Sequence, residues 1–308
     1  MNNYESKSVS ISSGETSYFS TPSEGLDPTL FDGMVLKPWV RSSVLKFLFD
    51  NLASNYQDPH RWVSAWIAGS GVSYQWEASR DPGDLDCLVG VNYGVFRRTN
   101  SEYNGLSDEE IASMLNEQFS RDIMPNTKNW EGYELTYYVN QQSDIKDINP
   151  YAAYDLIHDT WTVEPSKSQN PPYSRIWEQR VLKDHETGTE LISRYNKASQ
   201  QAQASVNNQA AFVNAKRRLD MAMDQASEFY EEIHKGRKVA FSKTGAGYAD
   251  FNNYRWQHGK KSGVIQALRE IKDHRDRAKT QSDLDTYGTE LPTAKTLIRR
   301  AAIHRTEL

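Results

Sequence analysis

Apolar residues four apart open the ordered part of the chain: Val40, Val44, Leu48 and Leu52 fall on one side of a helix over Trp39–Tyr56. The pattern then changes period. RWVSAWIAG, residues 61–69, is a strand rich in Trp, Val and Ile that stops at Gly69, and DLDCLVGVNYGVF, residues 84–96, is the next strand. Ser107 with Glu110 three residues later makes a capping box, ahead of a helix with Ile111, Met114, Leu115 and Phe119 on one face. GYELTYYVN, 132–140, returns to a strand, and NPYAAYDLIHDTWTV, 149–163, predicts two short strands around a His158–Asp159 turn.

Beyond Pro171–Pro172 the spacing is helical. Phe212, Ala215, Leu219, Ala222, Met223, Ala226, Tyr230 and Ile233 keep a three-and-four rhythm that Gly236 is expected to end, and residues 262–279 and 290–306 predict two more helices. Residues 1–30, rich in Ser, Thr, Gly and Asn without periodicity, predict a flexible amino-terminal arm that carries no evident chemistry. The expected organisation is an α/β (α+β) mixed-sheet domain over 31–165, followed by a mainly helical domain over 166–308.

Composition narrows the setting. The 308 residues carry a net charge of -5, so any surface for nucleic acid has to be local. A mean hydropathy of -0.77 is polar for a folded chain. The single cysteine, Cys87, forms no intrachain disulfide and suits a reducing compartment. No apolar run approaches the ~20 residues that span a bilayer. A cytoplasmic protein with no membrane partner is the expectation.

The candidate chemistry lies in WIAGSGVSYQWEASRDPGDLDCLVGV, residues 66–91. Strand side chains alternate, so Asp84 and Asp86 point the same way while Leu85 and Cys87 enter the core. Two carboxylates on one face repel unless a cation lies between them, and an oxygen-only setting suits Mg²⁺ completed by substrate phosphates. The Gly69-Ser70-Gly71 bend exposes backbone N–H groups and a hydroxyl, which suit phosphate oxygens. Each feature has an ordinary alternative: alternating acids on a solvated strand, and a plain turn.

Together these residues resemble the polymerase-β-like nucleotidyltransferase superfamily. Its signature is matched by Ile67-Ala68-Gly69-Ser70, the thirteen residues 71–83, then Asp84-Leu85-Asp86-Cys87. The resemblance covers about 31–165 and implies a mixed-sheet nucleotidyltransferase core. It also implies two Mg²⁺ ions, with Mn²⁺ as a substitute, and an NTP substrate. The implied reaction transfers a nucleoside monophosphate to a hydroxyl acceptor, such as RNA or a nucleotide, with release of pyrophosphate. It further implies a third carboxylate on a later strand. Glu134, in Tyr133-Glu134-Leu135, fits the order of the fold, and Asp155, in Tyr154-Asp155-Leu156, is held in reserve. Asp84, Asp86 and Glu134 would hold metal, and Gly69, Ser70 and Gly71 the phosphates. A sugar transferase using Asp-x-Asp, and a non-catalytic binding member of the same fold, are the competing readings.

HKGRKVAFSKTGAGYADFNNYRWQHGKK, 234–261, sets seven Lys or Arg against one acid, Asp250, with aromatics interleaved and glycines expected to keep the segment off a helix. Basic side chains neutralise phosphates while rings stack bases. Arg237, Lys238, Arg255 and Lys260 are therefore candidate contacts to the acceptor or the NTP. The alternative is a loop whose rings fill the core. Cys87 is expected to be a buried, inert thiol.

Overall fold

A computed structural model describes residues 8–77, 83–140, 145–167 and 174–288. It is a mixed α/β protein with eight α-helices and a mixed five-stranded sheet among those residues. The chain divides into two compact units. A sheet unit comprises 17–167 with 241–243; a helical unit comprises 8–16 with 174–240 and 244–288.

In the sheet unit, β1 (Phe31–Asp32) and β2 (Val35–Leu36) form a small antiparallel ribbon. Helix α1 (Pro38–Ala53) follows, with Val40, Val44, Leu48 and Leu52 all fully buried, as four-residue spacing requires of a core-facing stripe. Strands β3 (Val63–Ala68) and β4 (Gly83–Val91) pair antiparallel, and β5 (Tyr133–Val139) joins β4 in parallel. Strands β6 (Ala153–Asp155) and β7 (Thr160–Val163) complete the order β5-β4-β3-β6-β7, joined by a turn in which Asp159 takes φ +57°. Helix α3 (Asp108–Asp122) keeps both halves of the Ser107–Glu110 capping box and buries Ile111, Leu115 and Phe119. Its Asn116 exchanges two hydrogen bonds with the main chain of Val139 (2.6 and 3.0 Å), satisfying the outer edge of β5.

The sheet has two unlike faces. Leu85, Cys87, Val89, Leu135 and Tyr137 point into the main core with α1 and α3. On the other face a small apolar cluster, Trp66, Ala68, Leu88, Ile145 and Ala153, reaches Asp86 through Ala68, its register partner on β3. Burial, with the Asp86 charge adding to it, pushes the Cys87 thiol far above its ordinary range, so it stays protonated and inert.

The strand expected over 84–96 ends at Val91. Asn92 accepts a hydrogen bond from the Val95 N–H (3.1 Å) and starts α2 (Tyr93–Thr99), a cap that overrides the apolar run. A four-residue helix, α4 (Met124–Thr127), precedes β5.

In the helical unit, α5 (Arg175–Ala204), α6 (Gln209–Ala240), α7 (Phe251–Lys261) and α8 (Val264–Tyr287) surround a core of Ile192, Tyr195, Leu219, Tyr230, Trp256 and Leu268. Gly236 does not end α6. It lets the helix approach α7, because a Cβ there would lie 2.9 Å from Asn252 Oδ1. Gly259 likewise sits inside α7, where a Cβ would fall 2.5 Å from Ile265 Cγ1. Only 241–250 of the basic segment lies outside the α-helices, and it contains a 3₁₀ turn at Gly247–Ala249. The helix expected at 290–306 lies outside the described residues, as do 168–173 with Pro171–Pro172.

The described part of the amino-terminal arm is packed in place. Val9 is buried against the helical core and exchanges two 2.8 Å hydrogen bonds with Asn196, while Tyr18, Leu26 and Leu30 are buried in the sheet unit. Single apolar anchors without a period leave no trace in a pattern search. Among the described residues no helix is long and apolar enough to cross a membrane.

Gly188 of α5 tests the closeness of helix packing. A Cβ there would meet Val264 Cγ1 at 2.4 Å, and a helical valine has little rotamer freedom to yield. Gly188→Ala should destabilise the chain by about 1–2 kcal/mol in urea titrations, although alanine is the better helix former by about 1 kcal/mol. Combined with Val264→Ala, it should cost at least about 0.5 kcal/mol less than the sum of the two single changes.

Candidate active site

Strand β3 delivers the chain to Ala68, which pairs with Asp86 of β4. Gly69 then turns with φ +97°, a conformation that L side chains avoid, and its N–H donates to the Ala152 carbonyl at 3.1 Å. The turn Ser70–Val72 follows, closed by Ser73, whose N–H and hydroxyl both donate to the Ser70 carbonyl (3.1 and 3.0 Å). A Cβ on Gly71 would lie 2.5 Å from the Asp84 carbonyl oxygen, and one on Gly69 would lie 3.6 Å from Asp86 Oδ2. The two glycines thus bring the bend against both aspartates of β4. Any side chain at 71 would push it away.

Asp84 and Asp86 share the sheet face opposite the main core; Asp84 is exposed and Asp86 half-buried. Parallel pairing sets Glu134 beside Asp84 and Thr136 beside Asp86, with neighbouring strands about 4.8 Å apart. The Thr136 hydroxyl donates to Asp86 Oδ1 at 2.8 Å, leaving Oδ2 toward the Gly69 bend. Asp84, Asp86, Glu134 and the bend 69–71 therefore form one patch. Thr136 went unnoticed in the sequence, although it lies two residues after Glu134 and must share its face.

Asp155 is elsewhere. It lies on β6, opposite Trp66 and separated from β4 by β3. Its Oδ1 accepts from the N–H groups of Ile157 and His158 (2.8 and 2.9 Å), and its Oδ2 meets His158 Nδ1 at 2.8 Å. This buried carboxylate caps the β6–β7 turn.

The acids of the patch offer oxygen alone: two carboxylates on β4 and a third in register on β5. Among the described residues, no three His, Cys, Asp or Glu side chains converge enough to hold a metal ion by themselves. The patch fits a hard cation that takes part of its shell from substrate phosphates, as Mg²⁺ commonly does.

The four basic candidates belong to the helical unit. Arg255 is held by Asp184 through two hydrogen bonds (2.7 and 2.8 Å) and by Glu232 through a third (2.8 Å). Its charge is thereby neutralised within the fold. Arg237 lies over the Trp256 ring, 5.2 Å from its centroid; Lys238 is exposed and Lys260 half-buried. Tyr248, Tyr254 and Trp256 are at most 9% exposed, so these rings build the core and present no open stacking surface. Gly236, Gly259 and the buried rings of 234–261 are explained by packing.

Two histidines of this unit are held below their ordinary value of 6.5. For His234 the causes are burial first, then Lys238, Arg237 and Arg269 against the opposing Glu231. For His258 they are burial first, then His185 and Lys261 against Asp184.

No family model matches this chain, and neither does any curated protein or solved structure.

Gly71→Ala should displace the bend and lower thermal stability, since the obstacle is main-chain oxygen; calorimetry should show a fall of several degrees. The depressed histidines give a signed pH dependence. Their contribution is complete above pH 6.5 and is lost as the pH falls through the lower folded values, where the unfolded chain binds more protons. Urea midpoints between pH 7.5 and 5 should therefore decrease, and the slope should become shallower in His234→Phe.

Proposed function

We propose that this chain is a metal-dependent nucleotidyltransferase of the polymerase-β-like kind. It would transfer a nucleoside monophosphate from an NTP to a hydroxyl acceptor, such as an RNA end or a nucleotide, and release pyrophosphate. The observation that carries this reading is the approach of the Gly69-Ser70-Gly71 bend to the Asp84–Asp86 face, with Glu134 in register on the parallel neighbour. An ordinary turn beside an ordinary solvated strand needs no glycine at both 69 and 71.

In this reading Asp84, Asp86 and Glu134 would hold the Mg²⁺ that accompanies the triphosphate. Bound there, the cation would withdraw charge from the phosphates and lower the barrier to displacement. Ser70 and the Gly71 N–H hold the phosphates that leave as pyrophosphate; the Gly69 N–H, expected from the sequence to join them, is instead given to the Ala152 carbonyl, and Gly69 serves to turn the chain. Glu134 takes the proton of the acceptor hydroxyl as its oxygen bonds to the α-phosphorus and the bond from phosphorus to the leaving oxygen breaks. Thr136 fixes the Asp86 carboxylate so that its second oxygen faces the bend. Rate enhancement comes mainly from placement and charge.

Incubation with each labelled NTP and Mg²⁺ should release pyrophosphate. Asp84→Asn and Asp86→Asn should each lower that rate on the order of 100- to 1,000-fold. Both side chains point away from the main core, so unfolding free energies should stay within about 0.5 kcal/mol of the parent chain. NTP binding without turnover would select the non-catalytic member of the fold, and dependence on a nucleotide-sugar would select the sugar transferase.

A further inference from the structure

The segment 23–27, which composition assigns to a loose arm, is bonded to both sides of the acidic patch. The Ser23 N–H donates to the Tyr74 carbonyl at 2.7 Å, and the Ser23 hydroxyl to the Trp76 carbonyl at 3.4 Å. In return the Trp76 indole N–H donates to the Gly25 carbonyl at 2.8 Å. These bonds tie the segment to the loop that begins at Ser70. Two residues further on, Asp27 is only 5% exposed and accepts from the Thr29 N–H (2.8 Å) and from the Tyr133 hydroxyl. Tyr133 adjoins Glu134 on β5, and its ring lies against Gly83 at the start of β4, where a Cβ would fall 2.8 Å from Tyr133 Cδ1. Leu26 and Leu30, buried in the main core on either side of Asp27, hold the segment down.

Five consecutive residues therefore span from the serine-bearing loop to the strand that carries Glu134. Within 70–76 the loop is stiffened by Ser73, which bonds the Ser70 carbonyl and accepts from the N–H groups of Gln75 (3.1 Å) and Trp76 (3.2 Å), so the attachments to 23–27 hold it as a unit. We propose that residues 23–27 are a positioning strut, which sets the loop 70–76 against the acids of β4 and β5 and so tunes the grip on the triphosphate of a nucleotide. The inference rests on the nucleotidyltransferase reading. Trp76 and the Asp27–Tyr133 pair are its two attachments. None of these residues touches a reacting atom; they act through Ser70 and Glu134.

A matched control exists in the same unit. The Trp161 indole N–H donates to the Met34 carbonyl at 2.8 Å, the same kind of bond, but on β7 at the opposite edge of the sheet from β5. Trp76→Phe and Trp161→Phe each remove one indole N–H and keep an aromatic ring, so both should lose a similar amount of thermal stability. They should part in binding. With inorganic tripolyphosphate and Mg²⁺ as the calorimetric probe, Trp76→Phe should bind roughly fivefold more weakly, the scale of one lost hydrogen bond, and Trp161→Phe should match the parent. The KM for the NTP should rise in the same proportion in Trp76→Phe while kcat stays within about twofold. Tyr133→Phe, which releases the other end, should shift the same two quantities in the same direction and serves if Trp76→Phe does not fold. Equal affinities for Trp76→Phe, Tyr133→Phe and Trp161→Phe, with a parent that binds, would overturn the strut and leave the reaction standing. A parent chain that neither binds tripolyphosphate nor releases pyrophosphate would remove the reaction and the strut together.

Discussion

The 69–71 bend is pressed against strand β4, and the candidate site depends on that contact. Gly71 presses its main chain against the Asp84 carbonyl so closely that even a methyl group would stand 2.5 Å from that oxygen. Gly69 reaches the same strand through a positive φ that costs other residues roughly 1–3 kcal/mol. Main chain is thus brought to the foot of two carboxylates, and such closeness can only be kept if the surroundings are stiff. That stiffness has identifiable sources. Ala68 is held by ladders on both sides, to Asp86 and to Ala153, and the Gly69 N–H is fixed to Ala152. The strand beyond Asp86 then runs through Cys87, Leu88 and Val89, all at most 1% exposed, which anchors the acids from one end.

The helical unit is shaped by glycine in another way. Gly188, Gly236 and Gly259 all lie within helices, where glycine is costly to helix formation, and each is there because a neighbouring side chain occupies the space of its missing Cβ. Such close approach brings polar groups under cover, and they need partners. Arg255 supplies the case: half-buried between α5 and α6, it is fixed by Asp184 and Glu232 together. A guanidinium bound on three N–H groups contributes geometry to the bundle more than a free charge. The same economy explains why a segment with seven cations in 28 residues need not be a nucleic-acid surface. Some of its charges are internal ties, and its buried rings are core.

Much of this was legible from period alone. Val40, Val44, Leu48 and Leu52, the Ser107–Glu110 box, and the alternation of Leu85 and Cys87 with Asp84 and Asp86 all lie where spacing put them, because each reflects one face of one element. What escaped depends on contacts between distant segments. Gly236 looks like a helix end until Asn252 is set beside it. Asn92 looks like strand until its side chain captures the Val95 N–H. Thr136 could have been found by counting two residues from Glu134. Asp27 could not, since nothing in Gly25-Leu26-Asp27-Pro28 points to a tyrosine 106 positions away.

The acids of the sheet unit can be sorted by how their charge is accommodated. Asp27 and Asp155 are both nearly buried, and each accepts from a backbone N–H two residues ahead and from a ring-bearing side chain, Tyr133 or His158. A carboxylate so occupied closes a turn, and its lone pairs face inward. Asp86 is placed differently: it is half-buried, accepts on Oδ1 from a hydroxyl of the next strand, and its Oδ2 lies toward the Gly69 bend. Asp84 and Glu134 continue that row toward solvent. Holding several acids together in register gains nothing for folding, because like charges side by side repel. A local cap explains Asp155 in full, whereas in the proposed reaction Asp84, Asp86 and Glu134 would share a cation and its phosphates. Under the proposed reaction, that contrast favours Glu134 over Asp155 as the third acid.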